Sequence, residues 1–191
     1  MFYFIRHGET DINAIGGINT FDTPLNENGK KQVAVSSKEL RGLNIKQLYS
    51  SDTLRTKQTA EIVNEVADLH LEIYFDARLR EFGLGEFEGT TKLKDLELRF
   101  GEIYKDPVKY GIESLQDAFN RVRSFFAETE NSAANQDVCV VCHGGIMHMI
   151  RYAYFYDEFD AKRFTQMSTK KFANAEIIQL DLNIPRNKRQ H

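Results

Sequence analysis

The chain has 191 residues, 41% of them apolar and 28% charged, with a net charge of −3. That is enough for one soluble globular domain with a sizeable core, and too little for a second full domain. The charge gives no whole-chain pull toward nucleic acid or acidic membranes, and no apolar run approaches the roughly 20 residues a membrane helix needs. Met1 to Arg6 breaks into charge too soon to be a signal segment, so a cytoplasmic protein is expected.

Phe2 to Arg6 is a short unbroken apolar run, the pattern of a buried strand. Thr10 to Leu25 is polar, carries Gly16-Gly17 and Pro24, and reads as a loop. Asn26 to Leu40 is a helix capped by Asn26 and stopped by Gly42. Ile45 to Tyr49 is a second strand. Ser51-Asp52 opens a helix carrying Ala60, Ile62, Val63, Val66 and Ala67. Leu71 to Phe75 is a third strand. Arg78 to Gly89 is charged and glycine-rich, a surface excursion, and Thr90 to Tyr110 has only weak helical signals.

Ser114 opens the clearest helix. Leu115, Ala118, Phe119, Val122, Phe125 and Phe126 share one face, and Ser114 with Asp117 fits a capping box. Val138 to Cys142 is a strand. Gly144-Gly145 leads into a helix through Tyr154, and Ala175 to Leu182 is the last strand. Alternating strands and helices predict a three-layer α/β/α sandwich with a mostly parallel central sheet. The expected division is one domain over 1–183, with a small cap-like excursion near 80–112, and a basic tail over 184–191.

Cys139 and Cys142 formally match, with His143, the haem-attachment pattern C-x-x-C-H. On a strand, residues three apart face opposite sides, so the two sulfurs diverge. Both are read as small buried hydrophobes.

Two strands end alike, in Ile5-Arg6-His7-Gly8 and in Val141-Cys142-His143-Gly144-Gly145. Open α/β sheets bind ligands beyond the carboxyl ends of their strands, so the two histidines would face one pocket. The glycines admit close approach, and the helix after Gly144 would aim free N–H groups at an anion. Arg6 precedes His7, and Arg55 falls in the first turn of the helix after the second strand. There a cation opposes the helix dipole unless it serves something negative. Singly, each feature has an ordinary structural explanation. Jointly, two guanidiniums beside two histidines describe a phosphate cradle.

These residues resemble the histidine phosphatase superfamily, which also includes the cofactor-dependent phosphoglycerate mutases. The resemblance rests on Arg6-His7-Gly8-Glu9-Thr10 with Asn13; on Asp22, Pro24, Leu25 and Gly29; and on Ser50-Ser51-Asp52 with Arg55, Gln58, Thr59 and Ala60. It continues through Leu79-Arg80-Glu81 with Gly85, Phe87, Glu88 and Gly89, then Glu113-Ser114 with Arg121-Val122, and ends at His143-Gly144-Gly145. It spans roughly residues 2 to 182 in family order.

The resemblance implies a phosphoglycerate mutase-like fold and a phosphomonoesterase needing no metal and no cofactor. His7 would carry the phosphoryl group. Arg6, Asn13, Arg55, His143 and Gly144 would bind it, and Glu81 would protonate the leaving oxygen and then activate water. Glu86 and Glu88 share the loop of Glu81 but read as surface charge, and Glu9 is the remaining candidate acid. Ile12, Phe87 and Ile112 depart from common family residues and put pocket shape in question.

The substrate would be a small phosphorylated metabolite: a sugar phosphate, a phosphoglycerate, a nucleotide-related monoester or α-ribazole phosphate. The alternatives are a phosphoglycerate mutase and an inactive binding or scaffold protein. Mutases generally insert a long segment after the acid-bearing loop, and the short stretch from Gly89 to Glu113 favours hydrolysis. Pocket walls are expected from Gly16 to Thr23 and Thr90 to Tyr110, where Tyr104 or Tyr110 could stack on a ring. His148 is read as structural.

Overall fold

Phe2, Tyr3, Phe4 and Ile5 form strand β1 (Phe2–Arg6), and all four are buried. The computed structural model describes residues 1–89, 108–129 and 136–181, with 184 and 188. The sheet has the order β3-β2-β4-β1-β5. Its other strands are β2 (Ile45–Ser50), β3 (Ile73–Phe75), β4 (Asp137–Cys142) and β5 (Ile177–Leu180). β3, β2, β4 and β1 run parallel, and β5 pairs antiparallel with β1.

The helices are α1 (Asp11–Ala14), α2 (Glu27–Ser36), α3 (Leu54–Val66), α4 (Leu115–Thr129), α5 (Gly144–Phe155) and α6 (Ala161–Met167). The two-residue period of a strand sorts side chains to opposite faces of the sheet. Phe2, Phe4, Val138, Val140 and Cys142 meet the apolar faces of α4 and α5. Tyr3, Ile5, Leu48, Cys139 and Val141 meet Val33 of α2 and Ala60 and Val63 of α3. The architecture is the expected α/β/α sandwich. The cysteines lie in the two different cores, as their spacing on a strand requires.

Local chemistry explains the boundaries. Asn26 caps α2 by accepting the Gly29 N–H at 2.7 Å, and Gly42 turns the chain at φ +77°. On α4, Phe126 packs edge-on against Phe2 and Phe4 at 6.2 and 6.0 Å between ring centres.

Four expectations are corrected. The loop from Thr10 contains the single-turn α1, held by a capping box between Thr10 and Asn13. α3 begins at Leu54 because Ser51 stays extended, its N–H bonded to Val141 O at 2.9 Å. β3 begins at Ile73 because Asn64 brackets Leu71, accepting its N–H at 3.0 Å and donating to its carbonyl at 2.9 Å. β5 begins at Ile177, after a turn in which Ala175 has φ +58°. Helix α6 was not anticipated. Most of the 80–112 excursion and most of the basic tail lie outside the described residues.

Candidate active site

Because β1, β4 and β2 are adjacent and parallel, their carboxyl ends bring Arg6, His7, His143 and Ser51 together, and the first turn of α3 adds Arg55. A cavity of about 740 Å³ opens there, lined by Arg6, His7, Asn13, Arg55, Glu81 and Gly144, among others.

His7 is almost wholly buried, and its Nδ1 lies 2.7 Å from the Gly8 carbonyl. A carbonyl only accepts, so the proton sits on Nδ1 and the Nε2 lone pair is free. Burial, then Arg55 and Arg6, hold the His7 pKa well below its ordinary value, so the ring is neutral at neutral pH. His143 is fully buried and lies 5.3 Å from His7 between ring centres. Arg55 Nη2 donates to its Nδ1 at 3.2 Å, and its Nε2–H donates to Ser51 Oγ at 2.9 Å. Burial and Arg55 lower the His143 pKa strongly as well. His143 was expected to bind substrate directly. Its ring stands next to that of His7, and its nitrogens are engaged by Arg55 and Ser51.

Each guanidinium is anchored by a backbone carbonyl. Arg6 Nη1 donates to Phe172 O at 2.6 Å, and Arg55 Nη1 donates to Thr20 O at 2.7 Å. Asn13 Oδ1 accepts the Thr10 N–H at 3.0 Å. Arg6 Nε, Arg55 Nε and Asn13 Nδ2 are buried without a hydrogen-bond partner among the described residues. A buried donor left unpaired costs about 1–3 kcal/mol. Arg6, Asn13 and Arg55 also line the cavity, and their side chains carry N–H donors of the kind that an anion accepts from. Burial lowers the Arg55 pKa to about 10, which leaves it a cation at neutral pH.

Glu81 lines the cavity and caps α5, accepting N–H groups from Gly145 at 3.0 Å and from Ile146 at 3.1 Å. A Cβ on Gly145 would fall 2.5 Å from Glu81 Oε1, so the second glycine is needed for this approach. Of the other candidate acids, Glu88 is exposed, as expected of surface charge, and stands at the cavity's edge. Glu9 is turned away, accepting from Asn26 and Asn28 at 3.0 Å each.

Of the expected wall from Gly16 to Thr23, Gly16 to Phe21 line the cavity. Of the other, residues 90 to 107, including Tyr104, lie outside the described residues. Tyr110 packs on Phe87 at 5.7 Å, in a small cluster with Ile18, Leu84 and Ile112. The departures Phe87 and Ile112 therefore build the support of the Gly16–Phe21 wall. A wall the sequence did not suggest contains Lys171, Phe172 and His148, whose ring lies 4.6 Å from that of Phe172. No group of three or more potential metal ligands occurs among the described residues.

Comparison with known proteins gives a consistent picture. The model of the histidine phosphatase superfamily (branch 1) matches residues 2–187. The chain is 31% identical over 147 residues to "Uncharacterized phosphatase PhoE" of Bacillus subtilis, covering 76% of this chain and 72% of that protein. It is 32% identical over 149 residues to "Probable phosphoglycerate mutase GpmB" of Salmonella paratyphi A, covering 74% and 68%. Among solved structures, a mycobacterial glucosyl-3-phosphoglycerate phosphatase superposes with a TM-score of 0.74 at 25% identity, covering 92% of this chain and 90% of that one.

Proposed function

The chain belongs to the histidine phosphatase superfamily, and from that premise we propose that it hydrolyses the phosphomonoester of a small metabolite through a phosphoryl group carried on His7. The observation that carries this reading is that Arg6, Asn13, Arg55 and Glu81 line one cavity with His7.

In the first step the Nε2 lone pair attacks phosphorus and the bond to the leaving oxygen breaks. Glu81 supplies the proton that oxygen takes up. In the second step water attacks the phosphoryl group, its proton passes to Glu81, and the electron pair returns to Nε2. Arg6, Arg55, Asn13 and the Gly144 N–H meet the charge on the equatorial oxygens, which is most of what phosphoryl transfer asks of a protein. His143 accepts from Arg55 Nη2 and, beside His7, would meet the phosphoryl group with it. Dividing the reaction in two gives water an activated phosphoryl group to attack, so the proposal needs no metal. The activity is read as cytoplasmic.

A second reading, phosphoglycerate mutase, is favoured by the GpmB likeness. The two part on the fate of the phosphoryl group. A panel of phosphorylated metabolites, assayed for released phosphate and for mutase product, tests them. Hydrolysis predicts phosphate release that chelator leaves unchanged. Mutase product without phosphate, or a chelator-sensitive rate restored by metal, counts against it.

A further inference from the structure

Beyond β1 the backbone leaves the sheet, so its polar groups must find other partners. Their complete accounting over His7, Gly8 and Glu9 is informative. The His7 N–H donates to Cys142 O at 3.0 Å. The His7 carbonyl accepts from the Ala175 N–H and from Asn174 Nδ2, both at 3.3 Å. The Gly8 N–H donates to Thr59 Oγ1 at 3.4 Å, while the Thr59 hydroxyl donates to Arg55 O at 2.7 Å. The Glu9 N–H donates to Gln32 Oε1 at 3.0 Å, and the Glu9 carbonyl accepts from the Asn26 N–H at 3.0 Å. The remaining group, the Gly8 carbonyl, accepts from His7 Nδ1.

That carbonyl and the Glu9 N–H belong to one planar peptide. Whatever fixes the N–H therefore fixes the direction of the carbonyl. Gln32 does so from α2. The preceding peptide is held by Thr59 from α3 and by the Asn174–Ala175 turn. Glycine at position 8 is required by packing: a Cβ there would lie 2.4 Å from Gly29 O.

We propose that Gln32 and Thr59 are positioning residues that fix the peptides on either side of Gly8, so that His7 keeps its proton on Nδ1 and its lone pair on Nε2. The proposal rests on the reading of His7 as the nucleophile. It goes further by naming what selects the reactive nitrogen. Neither side chain is among those lining the cavity, so both act through His7.

The test uses full-length protein labelled with ¹⁵N-histidine, and the ring signals of His7 are read without substrate. The native protein should show a neutral ring protonated on Nδ1. Gln32→Leu should mix the two tautomers and lower kcat by about 10–100-fold with KM little changed, the usual scale for losing a group that orients a reactive ligand. Thr59→Val should do the same more weakly, and Thr59→Ser should restore both readouts. Should Gln32→Leu fail to fold, Gln32→Glu combined with Glu9→Gln keeps an acceptor for the backbone N–H and should retain the native ring signals. An unchanged His7 signature in folded Gln32→Leu would overturn the proposal, and so would a lower kcat with that signature intact. The ring signals are read without turnover, so they stand or fall separately from whether His7 carries phosphoryl.

Discussion

At the scale of single residues, the site depends on two imidazoles kept neutral by burial and by neighbouring guanidiniums. Their protonation is linked to folding. In the unfolded chain each histidine takes up a proton near its ordinary value of 6.5. In the folded chain it does so only at much lower pH, so below about 6.5 the unfolded state binds more protons and stability falls. Each group adds a slope of about 1.4 kcal/mol per pH unit while the two states differ. Urea unfolding should therefore show stability held from pH 8 to 7 and lost steeply between pH 6.5 and 5. The loss should be shallower in His143→Asn than in the native protein. Equal slopes in the two proteins would mean that His143 is not held neutral by its surroundings.

At the scale of elements, the tightest constraint is where the turn after β1 crosses the first turn of α2. A Cβ on Gly29 would lie 2.1 Å from Glu9 O. Gly29→Ala sets two effects against each other. Alanine favours a helix by about 1 kcal/mol over glycine, while overpacking against a backbone that cannot swing aside costs about 1–3 kcal/mol. The overlap is severe and the neighbour is main chain, so the cost wins. The variant should unfold at lower denaturant and lose activity, because Glu9 belongs to the peptide that orients His7. A stability gain would show that the turn can yield.

Element boundaries also show what could be read from the sequence. Strands and amphipathic helices such as α4 were legible because their periods are set by the core they face. Single-turn α1 was not, since one turn has no period. The start of β3 was hidden because a side chain of α3, Asn64, takes the backbone groups of Leu71 out of the ladder. In the site, Arg6, His7 and Arg55 were legible from their places behind strand ends, Asn13 and Glu81 only from the family resemblance, and all five line one cavity. The contacts of His143 with Arg55 and Ser51 were not, because they are made by tertiary structure. Gln32, Asn174 and the wall of Lys171 and Phe172 carry no local signal. Their contacts with the site are made by tertiary structure alone.

At the scale of the whole molecule, a central sheet separates two cores, and the cysteines report on both. Burial pushes the Cys139 thiol up to about 12 and raises Cys142 further. Neither thiol should react with a disulfide reagent at pH 8 in the folded protein, and both should react together when the sheet is unfolded. Fast reaction of one alone would mean that one core opens independently. The same sheet lets groups from β1, β4 and α3 meet across long sequence separations, which makes the proposed phosphate site a property of the fold. At that site, the proposed reaction puts the phosphoryl group on His7 Nε2. The most direct measurement is to mix the protein with a ³²P-labelled phosphomonoester that it hydrolyses, stop the reaction in alkali and map the label. The account predicts base-stable, acid-labile phosphate on Nε2 of His7, and none in His7→Ala. Label on another residue, or phosphate release undiminished in His7→Ala, would contradict it.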